Sequence, residues 1–441
     1  RFIMKARLLP LHFSGGPSQS FQAQVRALGA LLGDHAEILD PLPLGAPIPE
    51  ADAVLLPEIL GEAYRRIHDF KSIPAPILLI TSEFGTLSMW DWEIAAYLRA
   101  EHVATVAPYT LAQARTACRA LGVKRQLRET KFLVYQDNPG EGFQAEIFKR
   151  FYWWEPECSQ RIADTFGVTI VRRSFRELGE RAKAIPDSDA RDAAVRCPVP
   201  VEGLPEKPLL SALKIYLAVK HDLDQDPSIR AAGINCLNES FFSDTTPCLA
   251  WDILYQERRL IWGCEADTVS MLTKYILHHS LDVPIMMTNL YPFVLGQAAL
   301  KHERIEKFPD VENPQDCVLA AHCGYLGVVP RPFATAWTLR PKVLAIVHDN
   351  ATAIDARLPE GEMTLAKLDP KLERFVVAEG RLEGYAQYPD SDCRNGAVLR
   401  VGDGRKLMDR LVSHHYLLMK GHTRPEVEIA AGIFGLEVES L

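Results

Sequence analysis

Apolar residues recur along the first part of the chain in short runs, and the stretches between them carry apolar positions at helical spacing. The runs occupy residues 5–11, 53–57, 77–80 and 103–106. Alternation of short apolar strands with helices is typical of a parallel, doubly wound sheet. We therefore predict that residues 1–125 form a Rossmann-like α/β domain.

The same alternation begins again after a basic segment at residues 124–131. Short apolar runs at residues 132–136 and 168–171 predict strands, and residues 209–223 predict a strongly apolar helix. The pattern therefore predicts a second α/β domain, which we place at residues 126–328.

Residues 260–293 of this second domain show the pattern strand, helix, strand. Apolar runs at residues 260–264 and 284–288 enclose a stretch with helical spacing. A crossover of this length joins parallel strands. Similar runs occur on either side, at residues 232–236 and 317–321, so the pattern predicts that all four strands lie in one sheet.

Polar residues follow each of these four strands: Glu239, Glu265, Asn289 and His322. In open α/β sheets, ligands bind at the carboxyl edge. Carboxylate, amide and imidazole groups that meet there suit a divalent metal ion or an acid/base pair. A structural explanation exists for each position taken alone, since acidic residues are favoured at helix starts, and Asp267 can serve as a helix cap.

The pattern changes after residue 325. Short β-like runs follow one another without helices between them, and Gly, Pro and Asp separate them; they occupy residues 343–347, 363–367, 375–378 and 397–401. Such runs are typical of a small antiparallel barrel or sandwich. We predict a C-terminal β-rich, barrel-like domain over residues 329–441, with a helix near its end.

Composition restricts the partners and the compartment. The net charge of −8 argues against nucleic acid and anionic membranes as partners, because both favour basic surfaces. No apolar run approaches the roughly 20 residues that span a bilayer.

The nine cysteines form no CxxC pair, which predicts reduced thiols in a cytoplasmic protein. Cys264 and Cys323 border the predicted site, and Cys236 ends one of its strands. A buried apolar role is commoner than a nucleophilic one for such cysteines.

Two tryptophans, Trp90 and Trp92, lie shortly after the strand at residues 77–80. Exposed tryptophan near a strand end often stacks on the apolar face of a sugar ring, but tryptophan is equally common as a packing residue. The sequence leaves both roles open, so these residues are candidate substrate contacts.

Three segments, CEADTVSML, VLAAHCG and HHYLLMKGH, resemble the L-fucose isomerase and L-arabinose isomerase superfamily. Members are metal-dependent aldose–ketose isomerases with two α/β domains and a C-terminal β-rich domain. The order of the three domains in this superfamily resembles the order predicted for the whole chain. The specific sequence motifs, however, occur only from about residue 232 onward. The resemblance implies a homo-oligomer, either a hexamer or a trimer.

The resemblance also implies a ligand set for Mn²⁺ or another divalent cation. Glu265 matches the first acidic ligand and catalytic carboxylate, and the position of the second acidic ligand falls on Asn289. The histidine ligands fall on His322 and His415, and His422 matches a further histidine near the substrate. The implied reaction is the isomerisation of a free monosaccharide through an enediol.

Asn289 departs from the family pattern, because an amide can ligate a metal weakly but cannot accept a proton. Either Glu265 alone carries the proton, or Asp267 or Glu239 takes the place of the second carboxylate. The alternative is a divergent carbohydrate-active enzyme on the same scaffold, a hydrolase or an epimerase, or a non-catalytic sugar-binding protein.

Overall fold

The chain forms two parallel sheets with helices between their strands, followed by a closed antiparallel barrel. This order confirms the predicted fold class. The computed structural model describes residues 3–13, 15–59, 62–137, 152–236, 242–293, 310–322, 330–341, 350–387 and 395–441. Among the described helices, none is long and apolar enough to cross a membrane.

The first parallel sheet has the order β2-β1-β4-β5-β6, and β3 pairs with β1. Its strands are β1 (Ala6–His12), β2 (Ala36–Ile38), β3 (Leu42–Pro43), β4 (Ala53–Leu56), β5 (Ile77–Leu79) and β6 (Thr105–Val106). Every residue of β4 is buried, as expected of a strand covered on both faces. The helices are α1 (Gln19–Leu32), α2 (Ile67–Lys71), α3 (Met89–Ala100) and α4 (Leu111–Leu127).

The second parallel sheet has the order β10-β9-β7-β8. Its strands are β7 (Lys131–Tyr135), β8 (Thr169–Arg173), β9 (Ile229–Ile234) and β10 (Ile261–Cys264). The helices of this segment are α5 (Pro156–Phe166), α6 (Phe175–Ala184), α7 (Asp187–Val195), α8 (Glu206–Gln225), α9 (Cys248–Arg258) and α10 (Thr268–Leu281). All residues of α10 are buried, so this helix occupies the interior and not a surface layer.

Nine strands remain among the described residues, and six of them build the barrel. The nine strands are β11 (Ile285–Pro292), β12 (Cys317–Ala321), β13 (Ala336–Pro341), β14 (Thr352–Arg357), β15 (Gly361–Leu368), β16 (Arg374–Gln387), β17 (Asn395–Arg400), β18 (His415–Lys420) and β19 (Glu437–Ser440). Six of them follow the order β15-β18-β11-β12-β17-β16, and β16 pairs back to β15, which closes the ring. β19 adds to β16, whereas β13 and β14 form a separate two-stranded sheet, to which Val201 adds an isolated bridge at Leu339. The last helices are α11 (Gly404–Asp409) and α12 (Arg424–Phe434).

The prediction that four strands share one parallel sheet is wrong. Strands β9 and β10 belong to the second parallel sheet, whereas β11 and β12 belong to the barrel and pair antiparallel. A buried apolar run of about five residues fits either setting, so periodicity alone does not reveal its partners. The barrel therefore takes two strands from the segment assigned to the second α/β domain, residues 126–328. The strand predicted at residues 343–347 lies outside the described residues.

The chain divides into two compact units. The first unit contains residues 1–128, 276–282 and 425–438, and the second contains residues 129–275, 283–424 and 439–441. In the first unit, the Lys124 ammonium donates to the carbonyl oxygen of Ile433 in α12 at 2.9 Å. The second unit holds both the second parallel sheet and the barrel, and the candidate site lies within it.

Candidate metal centre

Glu265 follows β10 in a turn of unusual backbone conformation. Glu265 and Ala266 both lie in the left-handed region, with φ of 55° and 54°. Non-glycine residues are uncommon in this region, and each costs on the order of 1–3 kcal/mol. Two hydrogen bonds hold the turn, because the Ala266 N–H donates to Ile234 and the Asp267 N–H donates to Cys264, both at 3.0 Å. Backbone strain of this kind concentrates at functional sites.

An aromatic pair encloses the same turn. The Trp154 indole donates to the carbonyl oxygen of Glu265 at 2.9 Å, and the Thr268 hydroxyl donates to the carbonyl oxygen of Trp153 at 3.2 Å. The Trp153 ring centroid lies 5.3 Å from that of His415. Both tryptophans are buried, so they pack within their own chain beside the turn.

The barrel brings the other predicted residues together through its register. On neighbouring strands, Asn289 of β11 pairs with His415 of β18 and with Ala321 of β12. His322 follows Ala321 directly, and its ring stacks on that of His415 with centroids 6.3 Å apart. Asn289, His322 and His415 therefore meet at one end of the barrel, and all three are buried.

Three side chains form a group that can hold a metal ion. Glu265 Oε2 lies 3.5 Å from His415 Nε2 and 3.7 Å from His414 Nε2. The ligand atoms of all three lie within 4.8 Å of one another. Donors bound to one four-coordinate ion at about 2.1 Å lie roughly 3.4 Å apart, so these spacings fit a shared ion.

Unsatisfied polar atoms support the same conclusion. Glu265 Oε2, His415 Nε2 and Asn289 Oδ1 are buried and have no hydrogen-bond partner among the described residues. A buried polar atom without a partner costs roughly 1–3 kcal/mol, so proteins rarely leave several together. An ion coordinated by these atoms would remove that cost.

Asp267 binds the ring nitrogen of His415 that faces away from Glu265. Its Oδ2 lies 2.8 Å from His415 Nδ1 and 3.0 Å from the Lys367 ammonium, and its Oδ1 accepts from the Ser270 N–H at 2.9 Å. Burial raises the pKa of Asp267, but the Lys367 charge and the His415 hydrogen bond outweigh it, so the pKa lies below its usual range. The resulting carboxylate holds the proton of His415 on Nδ1 and leaves Nε2 to face Glu265. Asp267 also caps α10, as its position in the sequence suggested.

The charge state of His415 suits a metal ligand. Burial, followed by the neighbouring His414, lowers the pKa of His415 to about 4. The imidazole is therefore neutral at pH 7, and a neutral imidazole is the form that binds metal ions.

The predicted substrate-binding residues do not belong to this metal-binding group. Glu239 is outside the described residues. His422 follows the far end of β18, where its Nε2 contacts the Gly380 carbonyl oxygen at 3.1 Å, and roughly 17 Å of strand separates that end from His415. Trp90 and Trp92 belong to α3 of the first unit. Trp90 is 59% exposed, and the Trp92 ring lies 6.2 Å from that of Tyr109.

Sequence reasoning missed His414, although the His414-His415 doublet was visible. Neighbouring residues of a strand point to opposite faces, which argues against two adjacent ligands. His414 escapes that rule because β18 begins only at His415. The doublet at a strand start was the available signal.

His414→Asn is expected to weaken Mn²⁺ binding by about tenfold, since it removes one imidazole ligand and leaves the other atoms in place, a loss of about 1.4 kcal/mol. Titration calorimetry of the purified chain measures this. His422→Asn, at the opposite end of the same strand, is the matched control and should bind as the native chain does. Equal affinities in the two variants would remove His414 from the ligand set.

Comparison of the chain with protein-family models and with curated proteins gave no match.

Proposed function

We propose that this chain is a metal-dependent aldose–ketose isomerase acting on a free monosaccharide in the cytoplasm, with Mn²⁺ or a similar divalent cation. The observation that carries the proposal is the convergence of Glu265, His414 and His415, with Asn289 paired to His415 across the barrel. Glu265 Oε2, His415 Nε2 and Asn289 Oδ1 are buried and have no hydrogen-bond partner among the described residues. The resemblance of the motifs around Glu265, His322 and His415 to sugar isomerases supports the same reaction.

Isomerisation moves a proton between C1 and C2 of the sugar. A divalent ion, when bound, would polarise the carbonyl and the adjacent hydroxyl. Glu265 is the group member that can take the proton from one carbon and return it to the other. His415 and His414 would hold the ion, and Asp267 with Lys367 would keep His415 in the correct tautomer. The buried tryptophans at the turn would keep water from the enediol.

Asn289 lies opposite His415 and fits a neutral role in this scheme. Its Oδ1 can accept a hydrogen bond from a sugar hydroxyl or ligate the ion weakly, and its amide can donate to a sugar oxygen. Because Asp267 is held by Lys367, Glu265 is left as the carboxylate that faces the ligand atoms. One base serving both carbons is compatible with proton transfer on a single face of the enediol.

The single carboxylate also favours a second candidate. A two-carboxylate mechanism would lack its partner here, so a divergent carbohydrate-active enzyme, a hydrolase or an epimerase, or a non-catalytic sugar-binding protein fits the same geometry. Metal content separates these candidates first, because stoichiometric metal favours an enzyme.

The decisive experiment is a panel of free aldoses and ketoses incubated with the chain and Mn²⁺ in D₂O, followed by NMR. Metal-dependent interconversion of an aldose and its ketose, with deuterium incorporated at C1 or C2, supports the isomerase. Bound metal with a different sugar product supports the second candidate, and sugar binding without turnover supports the non-catalytic one.

The resemblance also leads us to propose a homo-oligomer, a hexamer or a trimer. Light scattering of the purified chain at micromolar concentration tests this, and a monomeric mass would contradict it. The activity panel is independent of this result.

Asn289→Asp is expected to tighten Mn²⁺ binding by about tenfold, because a charged oxygen replaces a neutral one facing a dication. Turnover then separates the candidates. Isomerisation should increase if the missing carboxylate limits it. The native activity should fall if the site is built around the amide, since the added charge would repel the Glu265 carboxylate wherever no ion lies between them.

The control for this variant is Asn313→Asp, which makes the same change at an exposed position of the same unit. It should leave both metal binding and turnover unchanged. Unaltered metal affinity in Asn289→Asp would show that Asn289 does not face the ion.

A further inference from the structure

Two cysteines lie together where neighbouring parallel strands end. Cys264 is the last residue of β10 and pairs in register with Ile234 of β9, and Cys236 follows Ile234 by two residues. The Sγ atoms of Cys236 and Cys264 lie 3.2 Å apart. A further approach of about 1.2 Å would bring them to the length of an S–S bond.

The two thiols are more exposed than the Cys158 thiol of the same unit. Cys264 is partly exposed, and Cys236 is 8% exposed. Cys158, by contrast, is 1% exposed, and burial, followed by the charge of Asp267, raises its pKa to about 11. Thiols without access or thiolate character are inert, so Cys158 is a natural control.

The position of the pair connects it to the metal centre. Cys264 directly precedes Glu265, and its carbonyl oxygen accepts the Asp267 N–H that holds the left-handed turn. The second bond of that turn runs from Ala266 to Ile234, on the strand that leads to Cys236. Drawing the two sulfurs together therefore pulls on both strands that fix the Glu265 carboxylate.

We propose that Cys236 and Cys264 are a redox modification site, a dithiol that low-molecular-weight disulfides oxidise to an intramolecular disulfide, and that this oxidation weakens metal binding at Glu265. The disulfide itself is independent of the proposed function, whereas its effect on the metal rests on it.

The exchange proceeds in two steps that balance. The thiolate of the more exposed Cys264 attacks one sulfur of the small disulfide, which forms a mixed disulfide and releases one small thiol. The Cys236 thiolate then attacks the Cys264 sulfur and releases the second small thiol. Two protein S–H bonds and the S–S bond of the oxidant are lost, and one protein S–S bond and two small thiols are formed. The protein gives up two electrons, and its two protons pass to the released thiolates.

The first measurement detects the disulfide. The reduced full-length chain is incubated with oxidised glutathione, alkylated and digested, and the peptides are analysed by mass spectrometry. We expect a cross-linked Cys236–Cys264 peptide pair, about 2 Da lighter than the sum of its reduced peptides. Cys236→Ser should instead retain the mixed disulfide on Cys264, and Cys158→Ser should cross-link as the native chain does. Absence of the Cys236–Cys264 peptide pair in the native chain would overturn the proposal.

The second measurement tests the coupling to the metal. The Kd for Mn²⁺ is determined by calorimetry for the reduced chain, the oxidised chain and the oxidised chain after treatment with a thiol reductant. We expect oxidation to weaken binding by at least about tenfold and reduction to restore it, while Cys264→Ser, which can form neither the disulfide nor a mixed disulfide beside Glu265, shows no such response. Equal affinities in the reduced and oxidised chains would overturn the coupling. A reduced chain that binds no Mn²⁺ but still forms the disulfide would instead contradict the proposed metal centre.

Discussion

Glu265→Gln is expected to weaken Mn²⁺ binding by at least about 100-fold, which corresponds to roughly 2.7 kcal/mol, and to abolish turnover. The amide keeps the size of the side chain but removes the one negative charge among the group Glu265, His414 and His415. It also removes the acid/base group that the proposed reaction needs. Titration calorimetry and the sugar assay measure the two losses separately.

Folding should survive this substitution. Glu265 Oε2 is buried without a hydrogen-bond partner among the described residues, so a neutral amide relieves a buried charge in the metal-free chain. The melting temperature without metal is expected to be equal to or above that of the native chain. Glu373→Gln, at an exposed position of the same unit, is the matched control. Near-native affinity and turnover in Glu265→Gln would refute the proposed mechanism.

Lys367→Met is expected to destabilise the chain by roughly 3–5 kcal/mol, because it leaves the Asp267 carboxylate buried without its counter-charge. Both side chains are fully buried, and their N–O distance is 3.0 Å. Mn²⁺ affinity should fall by about 10–100-fold as well, since Asp267 orients His415. Denaturant titration and calorimetry measure the two effects.

The pH dependence of this loss identifies its cause. The pKa of Asp267 lies below its ordinary value in the folded chain, so the carboxylate contributes stability that is present above the unfolded pKa of about 3.9 and is lost as pH falls towards the folded pKa. Without Lys367, Asp267 protonates more readily. The stability difference between native and variant chains should therefore be complete at pH 7 and decrease as pH falls below about 4.

Two further variants complete this test. Adding Asp267→Asn to Lys367→Met removes the buried charge, so it should recover part of the stability while metal affinity stays low. Lys371→Met alters an exposed lysine nearby in the sequence and should change neither quantity. A Lys367→Met chain as stable as the native one would show that the Asp267–Lys367 pair does not support the site.

The fold class could be predicted from the sequence because the alternation of strands and helices is a local property of the chain. The alternation before residue 282 predicted the parallel sheets, and the runs after residue 361 predicted barrel strands. Pairing is not local, so β11 and β12 were placed in the wrong sheet. Glu265 and Asn289 were expected at adjacent strand ends of one sheet, but they approach His415 from a parallel sheet and from the barrel.

The residues that hold the metal ligands in place, Lys367 and Trp153, could not be predicted from local sequence patterns. Lys367 lies 100 residues from Asp267 in sequence, and a lysine in the β15 segment resembles the solvent-facing member of an alternating strand. Its burial follows only from the barrel closing around it. The position of Trp153 beside His415, with ring centroids 5.3 Å apart, likewise follows from the tertiary fold and not from a local pattern.

The separation of the metal ligands along the chain has a consequence for the order of folding. Asp267, two residues after the ligand Glu265, and the ligand His415 are 148 residues apart, and β18, which carries His415, is synthesised after the second parallel sheet. Contacts of such long sequence separation form late, because the loop between them must first be ordered. The ligand set is therefore complete only once the barrel has closed. A metal ion that binds this set stabilises the closed state in proportion to RT ln(1 + [L]/Kd), so acquisition of metal should report the final step of folding.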